Sequence, residues 1–93
     1  AFDIAKKAGF EANFMGHRQK AGFIGHGVGI ELNEAPVFAP RSKDILAEGM
    51  VFALEPKFVI PQVGAVGIEN TFVVTASGIE KLTQCEEEIL PLD

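Results

Sequence analysis

Three side chains in this sequence could hold a divalent metal ion: the imidazole of His26 and the carboxylates of Glu55 and Glu69. One nitrogen ligand with hard oxygen ligands suits Zn, Mn, Co or Fe, whereas a thiolate site would need more than the single cysteine present. An apolar strand gains nothing by burying a bare carboxylate, because desolvation destabilises the fold unless a cation or hydrogen-bond donors compensate. The residue types therefore indicate a metal site, with solvated carboxylates as the alternative.

His26 lies in a glycine-rich segment, GHGVG at 25–29. Glycines on both sides let the backbone or a ligand come close to the imidazole, which favours a ligand role, with a core imidazole as the alternative. Glycines at this spacing also occur in phosphate-binding loops. The full dinucleotide fingerprint is absent, however, and no helix is predicted after the segment, so phosphate binding is disfavoured.

Glu55 and Glu69 each lie within a predicted strand. Period-2 alternation over 50–60 puts Glu55 on a face with Ala53 and Lys57, opposite an aromatic face that we assign to the core. Glu55 is then either a ligand or a solvated residue whose charge Lys57 balances. Glu69 has small neighbours on its own face of the next strand, and these leave room beside its carboxylate.

The pattern along the chain predicts an α+β domain with a curved, mostly antiparallel sheet and one helix. The predicted elements, in chain order, are a helix at 1–8 ended by Gly9, a connection or short strand at 10–20, a buried strand at 21–30, a long loop at 32–49, strands at 50–60 and 63–75 joined as a hairpin through Pro61 and Gly64, and a short strand at 79–82.

Composition limits the class of protein. The chain has 93 residues, a net charge of −5 and 47% apolar residues, which is enough for one small domain, 1–93, and too little for two. Eight basic residues without an extended cluster argue against nucleic acid or an anionic membrane as a partner. The longest uncharged stretch, 58–68, is too short to span a bilayer. The single cysteine, Cys85, and the lack of a secretion signal predict a cytoplasmic protein.

Taken together, three segments resemble the pita-bread metallopeptidases, the superfamily of methionine aminopeptidase, Xaa-Pro aminopeptidase and prolidase. The segments are GHGVG at 25–29 running into NEAP at 33–36, GMVFALEP at 49–56, and GIENT at 67–71 leading into VVT at 73–75 and Gly78. Their order and spacing cover nearly the whole chain, from Phe23 to Thr83. Each segment alone is a weak signal, and the combination is a specific one.

The resemblance implies a fold, a reaction and a set of ligands. It implies a peptidase with two divalent metal ions, in which His26 and Glu55 are ligands of one ion and Glu69 bridges both. Glu55 is also implied in proton transfer. The fold implied is the C-terminal half of a pita-bread domain, with a peptide substrate and the N-terminal half of the same domain as partners. A homodimer is compatible with this assignment.

The family also uses two aspartate ligands from strands that precede the histidine segment. This chain has only Asp3, Asp44 and Asp93, and none lies in a matching segment. The predicted N-terminal helix, moreover, has no initiating methionine and no capping residue before it. We therefore expect a C-terminal fragment of the catalytic domain that is inactive by itself and binds metal weakly or not at all.

Two positions depart from the family pattern. Asn33 stands where peptidases of the family commonly carry a second histidine, which contacts the substrate; an amide can donate a hydrogen bond there but cannot carry a proton. Gly67 stands where prolidase-like members often have an arginine. Two alternatives to a peptidase follow, a peptide-binding module without turnover and a creatinase-like hydrolase of a small C–N bond.

Overall fold

The computed structural model describes all residues except Arg18, Gln19 and Asp93. Its elements are α1 (Phe2–Lys7), a short 3-10 helix (Glu11–Asn13), β1 (Gly25–Gly27), β2 (Glu34–Phe38), β3 (Val51–Leu54), β4 (Lys57–Ile60), β5 (Gly64–Gly67), β6 (Asn70–Thr75) and β7 (Gly78–Lys81). Every strand pair in the described part is antiparallel, which confirms the predicted α+β class. No helix in that part has the length and hydropathy needed to cross a membrane.

The N-terminal helix ends where the sequence predicts. Gly9 follows α1 with a φ of +83°, a left-handed conformation that glycine adopts without steric cost. Ala5 of α1 is buried in a cluster with Phe14 and Met15. The connection predicted at 10–20 contains the short 3-10 helix, and its residues 18 and 19 lie outside the described part.

The strands form two sheets: a five-stranded sheet in the order β2-β1-β3-β6-β7 and a two-stranded sheet, β4-β5. One long hairpin, made of β3 and β4 on one side and β5 and β6 on the other, runs through both sheets. The two halves of the hairpin keep a single register, in which the paired positions include Val51 with Val73, Leu54 with Asn70, Lys57 with Gly67 and Ile60 with Gly64. The prediction of uninterrupted strands at 50–60 and 63–75 is wrong, because both break where the chain passes between sheets, at 55–56 and 68–69. Pro56 has no N–H to donate, which accounts for the end of the ladder on its side.

Residues 61–63 form the predicted turn between β4 and β5. The Val63 amide donates to the Ile60 carbonyl at 3.0 Å. Pro61 occupies the second position of the turn, and Gln62, at the third, has a φ of +65°. These two features are typical of a type II turn. The turn fixes the register of the long hairpin and therefore decides which residues of its two strands face each other.

One strand was missed by the sequence analysis. β2 lies within the region predicted as a long loop at 32–49, and Pro36 falls inside this strand. β2 is the edge strand of its sheet, and an edge tolerates a residue that has no N–H. The strand predicted at 21–30 is shorter, Gly25–Gly27, and the strand predicted at 79–82 spans Gly78–Lys81.

The core consists of two small clusters. Phe52, only 1% exposed, lies between Phe38 and Phe72, whose ring centroids are 4.7 and 5.4 Å away. Phe58 packs instead against Phe14, at 5.4 Å, beside the buried face of α1. The sequence placed Phe52 and Phe58 on one continuous face, but the break at 55–56 sends them to separate clusters.

Candidate metal centre

His26 occupies the middle of β1 between two neighbouring strands and is only 6% exposed. The glycines beside it are required for packing. A Cβ at Gly25 would collide with the Ala53 carbonyl oxygen of β3, and a Cβ at Gly27 would collide with the backbone of Ala35 in β2. The sequence suggested that these glycines make room for a backbone or a ligand. In the structure they make room for the backbones of the two neighbouring strands.

The long hairpin places Glu55 and Glu69 opposite each other. Ala53 of β3 pairs with Thr71 of β6. Side chains two residues apart on a strand share a face, so Glu55 and Glu69 extend this row just beyond the ends of the two strands. Ala53 is also the register partner of His26. All three candidate ligands consequently start from the same face of the sheet.

At this face the three side chains converge. One ligand atom from each of His26, Glu55 and Glu69 lies within 4.8 Å of the others, and His26 Nε2 is 3.1 Å from Glu55 Oε2. Exposure increases across the cluster: His26 is buried, the Glu55 side chain is 32% exposed, and Glu69 is exposed. The structure thus brings together the three residues singled out from the sequence, with one side of the cluster open to solvent.

The second ring nitrogen of His26 is held by its own strand. Nδ1 lies 3.0 Å from the Gly27 carbonyl oxygen, and since a carbonyl can only accept, Nδ1 carries the proton of this hydrogen bond. In the neutral imidazole Nε2 then presents a lone pair to the Glu55 carboxylate. Two acceptors at 3.1 Å need a proton or a metal cation between them. A histidine whose outer N–H binds a backbone carbonyl is the usual arrangement of a metal ligand, so these residues fit a divalent ion.

The surroundings of His26 favour positive charge at this point. The hydrogen bond to the Gly27 carbonyl is the largest cause that raises the pKa of His26, burial acts against it, and the hydrogen bond to Glu55 with the charges of Glu55 and Glu69 raises it further. The Phe23 ring stands edge-on to the imidazole, 6.1 Å away between ring centroids, and limits its rotation.

The solvated alternative applies to the two glutamates differently. Among the described residues, Glu55 pairs with His26 and not with Lys57, so the prediction that Lys57 balances its charge is wrong. Glu69 is exposed, as that alternative expects, yet its carboxylate still belongs to the cluster. Exposure of one ligand is compatible with a centre that lies at the surface of the sheet.

Asn33 is the fourth candidate site residue. It is exposed in the bend before β2, and its side chain makes no hydrogen bond to another described residue. Its neighbour Glu34, to which the sequence analysis gave no role, is half-buried and hydrogen-bonded within the same bend. The sequence signal that could have revealed Glu34 is Gly29, which leaves space for its carboxylate.

The sequence profile of metallopeptidase family M24 matches residues 1–76. The chain belongs to this family. Membership confirms the resemblance that the three motifs predicted, and peptidases of family M24 are metal-dependent hydrolases, in agreement with the ligand cluster.

Relatives of known name are similar over most of this chain. The Xaa-Pro dipeptidase of Pyrococcus furiosus is 43% identical over 67 residues, which are 72% of this chain and 19% of that protein. The Xaa-Pro dipeptidase of Lactobacillus helveticus is 36% identical over 89 residues, which are 96% of this chain and 23% of that protein.

Solved structures of the family have the same fold. The Xaa-Pro dipeptidase from Bacillus anthracis superposes with a TM-score of 0.83 at 35% identity and covers 98% of this chain. The prolidase from Pyrococcus furiosus superposes with a TM-score of 0.80 at 36% identity and covers 92%. This chain matches 24% of each of those two structures, so it spans about a fifth to a quarter of the length of its relatives.

Proposed function

We propose that this chain is the C-terminal part of the catalytic domain of a dinuclear-metal peptidase. The enzyme would remove N-terminal residues from peptides, as an aminopeptidase or an Xaa-Pro dipeptidase. The observation that carries the proposal is the convergence of the His26, Glu55 and Glu69 ligand atoms within 4.8 Å. Membership of family M24 and the similarity to Xaa-Pro dipeptidases support it.

Each residue of the cluster has a distinct part in this proposal. His26 and Glu55 would hold one divalent ion, of Mn, Co, Zn or Fe, and Glu69 would bridge it to a second. When bound, such ions supply Lewis acidity to the scissile carbonyl and lower the pKa of water. The Gly27 carbonyl holds the imidazole so that Nε2 faces the cluster. Glu55, half-exposed beside it, is the carboxylate that can take up and return a proton.

The cluster needs further ligands from outside this chain. Within the described residues no other histidine, cysteine or acidic side chain joins the three. Asp44 is engaged elsewhere, since its Oδ2 accepts the Val37 amide at 2.8 Å, and Asp3 lies in the first turn of α1. Asp93 lies outside the described part. The N-terminal half of the domain would supply the missing ligands, and the isolated chain would be inactive.

Specificity for proline-containing peptides is the finer part of the proposal. Gly67 leaves no room for a side chain, because a Cβ there would lie 2.9 Å from Lys57 Cβ and 3.0 Å from the Pro56 oxygen. A cationic side chain such as arginine could therefore not replace Gly67 unless the hairpin moved.

Asn33 favours a second candidate function, a peptide-binding module without turnover. An amide can hydrogen-bond a peptide but cannot carry a proton in a reaction. We also propose a cytoplasmic location, in which the exposed free thiol of Cys85 would stay reduced.

The test compares three forms of the complete protein that carries this chain: the wild type, Glu69→Ala, and the control Glu80→Ala, which removes an exposed acid on β7. We expect wild type and Glu80→Ala to contain two metal ions and to hydrolyse Xaa-Pro dipeptides or longer peptides. Glu69→Ala should lose metal and at least about a hundredfold of turnover. Equal turnover in wild type and Glu69→Ala would exclude this site, and peptide binding without hydrolysis by the wild type would establish the second candidate.

A further inference from the structure

We propose that Glu34 is a positioning residue, whose carboxylate fixes the bend at 28–33 and with it the place of Asn33 relative to His26. The proposal rests on the peptidase function and on the family resemblance, which implies that the residue at position 33 contacts the peptide. It adds a residue outside the ligand cluster to the machinery of the site.

The Glu34 side chain closes the bend from its C-terminal end. Its Oε2 accepts a hydrogen bond from the Glu31 amide at 3.2 Å. The Glu31 carbonyl in turn accepts the Gly29 amide at 3.3 Å. The carboxylate and the backbone thus hold opposite sides of the same residue, and the segment between them has little freedom to move. A side chain at 34 without an acceptor would leave the Glu31 amide without this partner.

The Glu34 carboxylate also packs against Gly29. A Cβ at this position would overlap the Glu34 carboxyl group, with its carbon and both oxygens the nearest atoms. The carboxylate therefore lies directly against the Gly29 Cα. The φ of Gly29 is not in the left-handed region, so a Cβ at this position would displace the Glu34 carboxylate without straining the backbone.

The contacts of the Glu34 carboxylate with the Glu31 amide and Gly29 are called the Glu34 clasp below. Backbone hydrogen bonds hold His26 independently of this clasp. Gly27 pairs with Glu34 through the ladder between β1 and β2, and the Val28 amide donates to the Val51 carbonyl at 2.9 Å. These bonds need no particular side chain at position 34. Loss of the carboxylate should consequently free the bend and Asn33 while the imidazole stays in place for metal.

The clasp needs an acceptor oxygen and not a negative charge, because its partner is a neutral amide. Glutamine retains such an oxygen at the same distance from the backbone, whereas alanine does not. Glu34→Gln is thus the conservative variant that should rescue the function. Gly22→Ala is the matched control for Gly29→Ala, because a Cβ at Gly22 would meet no atom within 4 Å.

The experiment uses the complete protein with Glu34→Ala, Glu34→Gln, Gly29→Ala, Gly22→Ala and the double variant Glu34→Ala/Gly29→Ala. Three quantities are measured: hydrogen exchange of the Glu31 amide, affinity for Mn²⁺, and kcat and KM for a peptide. We expect Glu34→Ala and Gly29→Ala each to accelerate exchange and to raise KM about tenfold, with Mn²⁺ affinity within about twofold of wild type. The double variant should be no worse than either single one, since both remove the same contact.

Glu34→Gln and Gly22→Ala should match the wild type in all three quantities. Unchanged exchange and KM in Glu34→Ala would overturn the proposal, and so would a loss of Mn²⁺ affinity equal to the loss of turnover, because Glu34 would then act on the ligands. If the wild type neither binds Mn²⁺ nor cleaves peptides, the peptidase function fails. In that case hydrogen exchange of the Glu31 amide, compared between wild type and Glu34→Ala, still tests whether the Glu34 carboxylate fixes the bend.

Discussion

At the scale of single residues, a backbone carbonyl decides what His26 can bind. The Gly27 oxygen accepts a hydrogen bond from the Nδ1–H group, which leaves the lone pair of Nε2 facing Glu55. Gly27 adopts this place where the register between β1 and β2 shifts, and its lack of a Cβ lets β2 approach. The chemistry of the imidazole is thus set by the strand on which it lies.

Phe52 is the side chain on which this part of the sheet depends most. It faces Gly27 across β1 and β3 and is stacked between Phe38 and Phe72. We expect Phe52→Ala to destabilise the domain by about 3–5 kcal/mol, since it empties a buried site in a thin core. Urea unfolding of the complete protein measures this loss. The matched variant Phe10→Ala, at a residue 48% exposed, should cost less than half as much, and equal losses would contradict the assignment of the core.

At the scale of elements, the long hairpin explains how much the sequence could reveal. The types and order of His26, Glu55 and Glu69 were sufficient to single out three residues that the structure brings together. The predicted turn at 61–63 also implies that Glu55 faces Glu69, because its register runs unchanged along both strands. The period-2 pattern continues through 55–56 and does not indicate the break there, and the one sequence signal for it is Pro56, which has no N–H to donate. The clasp of Glu34 depends on a contact between a side chain and a bend, which periodicity does not record.

Side-chain hydrogen bonds connect the segment after β7 to β6, the strand that follows Glu69. Glu87 Oε1 accepts hydrogen bonds from Lys81 at 2.6 Å and from Asn70 at 3.1 Å. The Lys81 hydrogen bond and then its charge hold the pKa of Glu87 below its ordinary value, and Asn70 contributes in the same direction. Because the pKa is lower in the folded state, the stabilisation is complete above the ordinary pKa and disappears as the pH falls through the folded value.

The wild type should therefore be more stable than Glu87→Gln at neutral pH, and the difference should vanish in acid. The effect is small and decreases with salt, because the groups are exposed. Thermal unfolding of both proteins from pH 7 to about pH 3 measures the difference. Glu86→Gln, which alters the adjacent exposed acid, should follow the wild type throughout. A difference that persists at the lowest pH would show that charge is not the cause.

At the scale of the whole molecule, this chain buries little of its own apolar surface. The buried apolar residues among those described are Ala5, Phe14, Met15, Phe52 and Ala53. The radius of gyration is 14.6 Å, whereas a compact domain of this length has about 12 Å. Large apolar side chains such as Ile30, Ile45 and Ile89 are more than 80% exposed. These side chains lie outside the strands, in the bend before β2, in the loop before β3 and after β7, and an exposed apolar surface of this kind is typical of a chain that packs against another part of a protein.

The isolated chain should accordingly be less stable than the same residues in the complete protein, and it should not hydrolyse peptides. Its thermal unfolding should be broad, because few buried side chains contribute to cooperativity. Circular dichroism, Mn²⁺ titration and peptide turnover, each compared with the complete protein, measure these properties. Turnover by the 93-residue chain at the rate of the complete protein would contradict both the proposed ligand deficit and the fragment assignment.

The gap in the long hairpin sets two like charges against each other at the one point where its ladder is interrupted. Without a cation, the carboxylates of Glu55 and Glu69 repel each other across this junction. A bound cation would instead attract both carboxylates and join the two strands of the hairpin at this break. Ion loading would then stiffen the protein as well as equip it for chemistry.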